Sequence, residues 1–391
     1  MLPTDIVLMP AYYDRMLDAN NLYTAFLRAK QGSSWKASVQ KFEAGILRNI
    51  NILIKTLKNK SYEQKPFFEF TLRERGKIRH IRSIHISDRV VQRCLCDNIL
   101  VPTISPKLIY DNGASVKNKG ISFSRNRLTT HLTRYIRKHG TDGYILLIDF
   151  SKFFDNINHE SILKLSEKTF KDDSLLYLLS SLIDTFKVDV SHLSTKEQDY
   201  LYNNVLDTVK FAESSPKIKR GTSYLRKSLG IGSQISQIFG VYYPTALDRL
   251  CKIHYKCKYY GRYMDDIYII HSDKQYLQNL LDDVLKISDV LGLHVNRRKT
   301  KITPLKRGFT FLQVKYSLTP SGKIVKRVKP DRFIRERRRL KKYRLLLENN
   351  KITQDVIRNA YYSWRGNLEK FSCNKSLTNL DTLYSILFKE V

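Results

Sequence analysis

Three adjacent-aspartate pairs punctuate the sequence: Asp172-Asp173, Asp265-Asp266 and Asp282-Asp283. The first sits among Lys and Ser at an expected helix junction. The third falls on the polar face of an amphipathic segment, so both read as solvated. The second differs, because Tyr259-Tyr260 leads into it and Ile267-Tyr268-Ile269-Ile270 leads out, surroundings in which acidic side chains are disfavoured. Asp149 makes a similar exception, ending the apolar run Tyr144–Ile148. Bringing three carboxylates together costs about 4 kcal/mol per pair at ~4 Å and an effective dielectric constant of about 20. A divalent cation offsets that repulsion; without one, a carboxyl pKa rises. Oxygen-only ligands on separate strands suit Mg²⁺, which keeps waters and takes further oxygens from substrate phosphates. Two such ions about 4 Å apart can activate an attacking 3′-hydroxyl and stabilise a leaving pyrophosphate oxygen. Metal-assisted phosphoryl transfer is the chemistry this pattern suggests.

The elements that must position these residues are partly legible. Tyr144–Ile148 has the unbroken apolar pattern of a buried central strand, and β-prone segments flank the acidic turn at 263–266. Residues 1–65 read as helical. Apolar/polar alternation around a glycine over 73–82 predicts a β-hairpin, and Ser87 is placed to cap a helix through Val90, Val91 and Leu95. Residues 160–183 read as helical, and 185–230 as loops with short helices. Leu277, Leu280, Val284, Ile287 and Leu291 recur at helical spacing until Gly292. Pro244 implies a kink or a late helix start. Phe309–Tyr316 reads as one strand, with Pro320-Ser321-Gly322 as its turn. From Lys323 to Arg344 twelve basic residues face only Asp331 and Glu336, and an apolar stripe makes this a basic helix.

Composition bounds the partners. In 391 residues, 69 Lys+Arg against 37 Asp+Glu leave a formal charge of +32, which suits a densely anionic partner such as nucleic acid. With 42% apolar residues a largely disordered chain is excluded. Five cysteines without a CxxC pair, Cys94, Cys96, Cys251, Cys257 and Cys373, argue for reduced, packed thiols rather than a disulfide framework. No apolar run approaches the length of a membrane span, and Met1–Asp5 lacks a basic leader segment. A soluble, cytoplasmic protein with no membrane partner is expected.

Tyr263-Met264-Asp265-Asp266 resembles the YxDD box of reverse transcriptases, and Asp149–Asp155 resembles their first palm motif. Further segments follow in the family's order: Gly76–Arg79 and Asp88–Gln92 resemble fingers motifs, Leu291–Thr300 the motif carrying a lysine, and Phe309–Leu312 the primer-grip strand. The resemblance covers roughly 70–345. One box, Ile231-Gly232-Ser233-Gln234-Ile235-Ser236-Gln237, departs from the usual Gln-Gly-x-x-x-Ser-Pro and is similar to that of diversity-generating retroelement enzymes, in the group II intron-like lineage. That family copies a template RNA with errors at adenines. Ile231 replaces an amide with an apolar side chain, and losing a polar contact that checks geometry lowers discrimination.

The resemblance implies an α+β right-hand polymerase. Its parts are an N-terminal helical extension (1–65), fingers (66–140), a palm of antiparallel sheet backed by helices (141–318, with 185–230 inserted toward the fingers) and a basic helical thumb (319–391). It implies two Mg²⁺ ions, with Mn²⁺ able to substitute, on Asp149, Asp265 and Asp266, and Lys299 as general acid to pyrophosphate. The deoxynucleoside triphosphate would meet Lys77, Arg79, Phe154 as an aromatic gate against the 2′-hydroxyl, Ile231, Gly232, Ser236 and Gln237. Template RNA and the cDNA/RNA duplex would meet Phe311, Leu312, Lys326, Arg327, Arg335, Arg338, Arg339 and Lys342. His159 and Glu160 are read as turn and capping residues, and Tyr361, Tyr362 and Trp364 as thumb packing. A small accessory protein or structured noncoding RNA is a possible further partner. The rival readings are a reverse transcriptase of an antiphage defence system and, in another class, a non-catalytic RNA-binding protein with a relic palm.

Overall fold

A computed structural model describes residues 12–74, 76–215 and 221–388; the side chains of Glu74 and Lys77 also lie outside the described set. The helical reading of the N-terminal segment takes the form of four helices, Asp14–Leu17, Ala19–Ala29, Ala37–Ala44 and Ile46–Lys58. The second buries Leu22, Ala25, Phe26 and Ala29, one stripe at i, i+3, i+4 and i+7. That stripe lies against the helix Ile86–Leu95, where Arg89 donates to the Ala29 carbonyl at 2.7 Å. The cap of that helix is His85 rather than Ser87: the imidazole Nδ1 accepts from the Ser87 amide at 3.2 Å.

The expected hairpin is β1 (Phe68–Glu74) against β2 (Lys77–Ser83), with Glu74 opposite Lys77 and Gly76 at φ +75°. The central sheet follows the order β6-β7-β3-β8, all antiparallel: β3 is Tyr144–Ile148, β6 Tyr260–Tyr263, β7 Asp266–His271 and β8 Lys301–Pro304. Its two middle strands, β3 and β7, read as apolar runs because both faces are covered. Leu146, Ile148, Ile267 and Ile269 enter one core with the helix Lys274–Val290. Ile145, Leu147, Tyr268 and Ile270 enter another, with Leu128, Leu132 and Tyr135 of the helix Ile121–His139.

Several expectations are corrected. Residues 160–183 form two helices, His159–Thr169 and Asp173–Asp184, because Asp172 turns its carboxylate onto the Leu175 amide at 3.0 Å and starts the second. Asn158, not His159 or Glu160, caps the first. Phe309–Tyr316 is not one strand but β9 (Phe309–Phe311) and β10 (Val314–Leu318), joined by Leu312 and Gln313 at φ +45° and +67°. The basic helix does not begin at Lys323: Ile324–Val328 is β11, paired to β10, and the helix spans Asp331–Glu348 behind Pro330. A helix does restart after Pro244, at Thr245–Arg249.

Within 185–230, β4 (Val188–Asp189) pairs with β5 (Tyr224–Leu225), and helices Thr195–Asn203 and Thr208–Ser214 lie between. Val188, Val190, Leu206 and Leu225 give the segment a core of its own. At the C-terminal end Asp331–Glu348, Gln354–Gly366 and Asn374–Phe388 pack around Leu340, Ile357, Tyr361 and Leu380. Tyr361 stacks on Tyr384 at 4.4 Å, with Tyr362 and Trp364 alongside. No described helix is long and apolar enough to cross a membrane.

Candidate active site

Backbone register gathers the acidic residues. Ile148, the last residue of β3, pairs with Ile267; Asp149 follows it, and Asp266 precedes its partner. Tyr263 pairs with Asp266, so Met264 and Asp265 form the two-residue turn between β6 and β7, Met264 at φ +54°. The three aspartates therefore share one end of the central sheet. The segment Leu291–Thr300 is stitched to the same end: the Asn296 amide donates to the Asp149 carbonyl and the Ser151 amide to the His294 carbonyl, each at 2.8 Å. This brings Lys299 Nζ to 2.8 Å from Asp149 Oδ2.

Among the described residues no group of three His, Cys, Asp or Glu side chains is drawn together tightly enough to hold a metal ion. Asp149 is turned onto Lys299, and Asp265 and Asp266 have interactions of their own. The donor set still fits a hard cation, since it offers carboxylate oxygens alone, half-exposed at a strand end.

Beneath the turn lies a pair that the sequence reading missed. Arg262, fully buried, grips Asp248 through Nη2–Oδ2 at 2.6 Å and Nε–Oδ1 at 2.9 Å. It also donates to the carbonyls of Val241 at 2.9 Å and Met264 at 3.3 Å. A bidentate guanidinium thus ties the acidic turn to the helices behind it. The signal was an arginine at a strand position between buried neighbours, where a charge must find a partner.

The Ile231–Gln237 box docks on the hairpin. The Arg82 amide donates to the Ile231 carbonyl at 3.0 Å, and a Cβ on Gly232 (φ +127°) would stand 2.8 Å from the Arg82 carbonyl oxygen. Ser233 caps the helix Gln234–Tyr242 and donates to Gln92 Oε1 at 2.8 Å. Of the residues expected at the nucleotide, Ile231, Phe154 and Arg79 are half-buried, while Gly232 and Gln237 are exposed. Ser236 is buried with its hydroxyl donated to the Leu229 carbonyl, so it secures the loop rather than facing solvent. Lys77's side chain lies outside the described residues.

The residues expected at nucleic acid divide. Phe311 is buried, edge-on to Tyr268 at 5.1 Å, and belongs to the core rather than to a binding surface. Leu312 stands at the hairpin tip with its carbonyl taken by Arg125. Lys326 and Arg327 lie on β11. Arg335, Arg338 and Lys342 are exposed at 3-4 spacing on one helical face. Arg339 instead pairs with buried Glu336 at 2.8 Å and donates to the Ala360 carbonyl. His159 is buried, donates from Nε2 to the Ser228 carbonyl at 2.6 Å, and is pushed by burial down to about 4.

The sequence model of the reverse transcriptase (RNA-dependent DNA polymerase) family matches residues 58–316, well over half of the chain. The protein belongs to that family, and its α+β architecture of antiparallel sheet and helices is the family's right-hand polymerase fold. Reverse transcriptase domains use divalent metal ions. No curated protein sequence matches the chain. Solved structures similar to it include apo telomerase from Candida tropicalis (13% identity, 68% of this chain and 49% of that one, TM-score 0.45). Telomerase from Candida albicans in complex with a TWJ fragment of telomeric RNA is similar at 15% identity, over 84% and 54% of the two chains, with TM-score 0.47. Candida tropicalis telomerase truncated from its C-terminal domain is similar at 17% identity, over 70% and 59%, with TM-score 0.40. The chain thus spans only about half of these telomerases.

Proposed function

We propose that this protein copies an RNA template into DNA from deoxynucleoside triphosphates. The observation that carries the reading is the register that sets Asp149 beside the Tyr263–Asp266 turn, with Lys299 at 2.8 Å from Asp149. In this reading Asp149, Asp265 and Asp266 would hold two Mg²⁺ ions, for which Mn²⁺ would substitute. When bound, these ions supply charge to the attacking and leaving oxygens. The Arg262 guanidinium steadies the turn; Lys299, released from Asp149, gives a proton to the departing pyrophosphate. Phe154 excludes the 2′-hydroxyl, Arg79 and Lys77 hold phosphate oxygens, and Ile231, Gly232 and Gln237 border the nucleotide. Arg335, Arg338 and Lys342 bind the RNA–DNA duplex through phosphates, supported by Arg327 and Lys326. The fingers then comprise 66–140 and the palm 141–318 with its 185–230 insertion. The thumb begins in effect at Asp331, because β11 belongs to the β9–β10 sheet.

The finer reading is a diversity-generating retroelement enzyme, cytoplasmic, acting on a structured template RNA with a small accessory protein or a structured noncoding RNA as partner. Ile231 supports it: with its carbonyl held by Arg82, it presents a hydrocarbon where an amide could inspect the base pair.

Primer extension on RNA with the full chain tests both levels. Asp265→Asn should abolish extension while leaving RNA affinity intact; extension at the parental rate would instead mean a relic palm. Sequenced cDNA should carry an excess of errors opposite adenine, and Ile231→Gln should reduce it. An even spectrum over the four template bases would remove the retroelement reading and leave the polymerase, as an antiphage enzyme would require.

A further inference from the structure

Gly240 lies in the last turn of the helix Gln234–Tyr242, before the αR cap Tyr243, at a buried position without a positive φ. Helix interiors disfavour glycine relative to alanine, and the backbone here does not require it. Space does. A Cβ at Gly240 would stand 2.7 Å from Phe154 Cε1 and 3.1 Å from Cζ, with Phe153 Cε1 at 3.6 Å. The missing methyl is the seat on which the Phe154 ring rests.

The ring has few ways to yield. Its backbone is held by the short helix Phe153–Asn156 and by the Leu229 amide, which donates to the Phe154 carbonyl at 2.9 Å. Buried Phe153 stands edge-on at 5.3 Å. The helix carrying Gly240 is fixed in turn by its Ser233 cap and by buried Ile235, Phe239 and Val241. Phe154 itself is half-exposed, so a methyl at 240 must displace the ring toward its open side. The same helix begins in the Ile231–Gln237 box, so Gly240 couples that box to the ring.

We propose that Gly240 is a specificity-determining positioning residue whose absent side chain sets the height of the Phe154 ring, and through it the room left for the sugar of the incoming nucleotide. This rests on the reading of Phe154 as the sugar gate. Gly240→Ala raises the ring into the pocket. The expected result is a rise of roughly tenfold in KM for dNTPs, the factor equivalent to about 1.4 kcal/mol of misfit. The change in kcat should be smaller and ribonucleotide use lower still. Affinity for an RNA–DNA duplex and the thermal midpoint should stay at or above the parental values. In Gly240→Ala/Phe154→Leu the smaller, more flexible side chain gives way, and KM returns toward the parent.

Four proteins, measured in parallel by single-nucleotide extension with dNTP and rNTP, separate the outcomes. If Phe154→Leu alone leaves sugar selectivity unchanged, the gate reading fails. If Phe154→Leu relaxes selectivity but Gly240→Ala leaves KM and the dNTP/rNTP ratio unaltered, the gate stands and the role of Gly240 is refuted. A Gly240→Ala defect that Phe154→Leu does not relieve also refutes it, because the methyl would then act on the helix rather than on the ring.

Discussion

Arg262 and Asp248 form a buried ion pair whose two functions can be separated. Arg262→Met removes four hydrogen bonds and leaves the Asp248 carboxylate buried, with the Tyr260 hydroxyl, alone among the described side chains, still donating to it at 2.5 Å. Breaking one side of a buried pair costs about 3–5 kcal/mol. At an m-value of roughly 3 kcal/mol/M, the urea midpoint, followed by far-UV circular dichroism, should fall by about 1 M or more. Replacing the whole network with hydrocarbon (Arg262→Met, Asp248→Leu, Tyr260→Phe) leaves no orphaned charge or hydroxyl. It should recover most of the loss, as hydrophobic replacements of buried ion pairs commonly do. Primer extension should not recover, because the Val241 and Met264 carbonyls have lost the guanidinium that holds the Met264-Asp265 turn. A triple variant that regains both stability and extension would show that Arg262 merely neutralises Asp248. A single variant costing under about 1 kcal/mol would refute the claim that the pair is sealed from water.

Three further outcomes are expected. Burial holds the His159 ring down at about 4 against an ordinary 6.5, and His131 is shifted likewise, burial again the first cause. The neutral rings are therefore preferred by the folded state, so stability is whole above pH 6.5 and falls as pH drops toward 4 while the unfolded chain takes up protons. His159→Gln should flatten that loss in urea titrations, and an unchanged slope would count against it. Gly232→Ala places a methyl on the Arg82 carbonyl at a positive φ. It should cost about 1–3 kcal/mol and open the β1–β2 hairpin to limited proteolysis, whereas parental resistance would show that the two segments do not bear on each other. Arg335→Gln/Arg338→Gln/Lys342→Gln should reduce the slope of log affinity against log salt for duplex by about 2 to 3; an unaltered slope would move the duplex off that helix.

The acidic end of the sheet was legible because Asp149 and Asp265-Asp266 break apolar runs, and a broken run is visible in one dimension. Arg262 also interrupts its strand, but its partner Asp248 sits on a helix fourteen positions away and nothing periodic links them. The β9–β10 turn was invisible for a related reason: Leu312 and Gln313 adopt positive φ without the glycine or asparagine that normally marks one. In β11 the dense positive charge hid the spacing Ile324, Val325, Val328, and Pro330 was the better boundary marker. Phe311 looked like a contact residue because its motif is placed by sequence order. Its burial against Tyr268 depends on how the small β9–β11 sheet closes over the central one, which the sequence does not state.

The central sheet is greasy on both sides, and this removes the usual safeguard of strand alignment. In a sheet with one wet face, sliding a strand by one residue would drown half of its hydrocarbon; here Leu146 and Leu147 could trade sides at little expense. Alignment must come from shape instead. Gly261 lies opposite Tyr268, whose hydroxyl would stand 2.6 Å from any Cβ added there, so the phenol has only one place along β6 to rest. A slip of β6 on β7 would carry Asp266 about 3.3 Å past Tyr263 and rebuild the turn between them. A glycine and a phenol thus act as the vernier that holds the Met264-Asp265 turn at two residues.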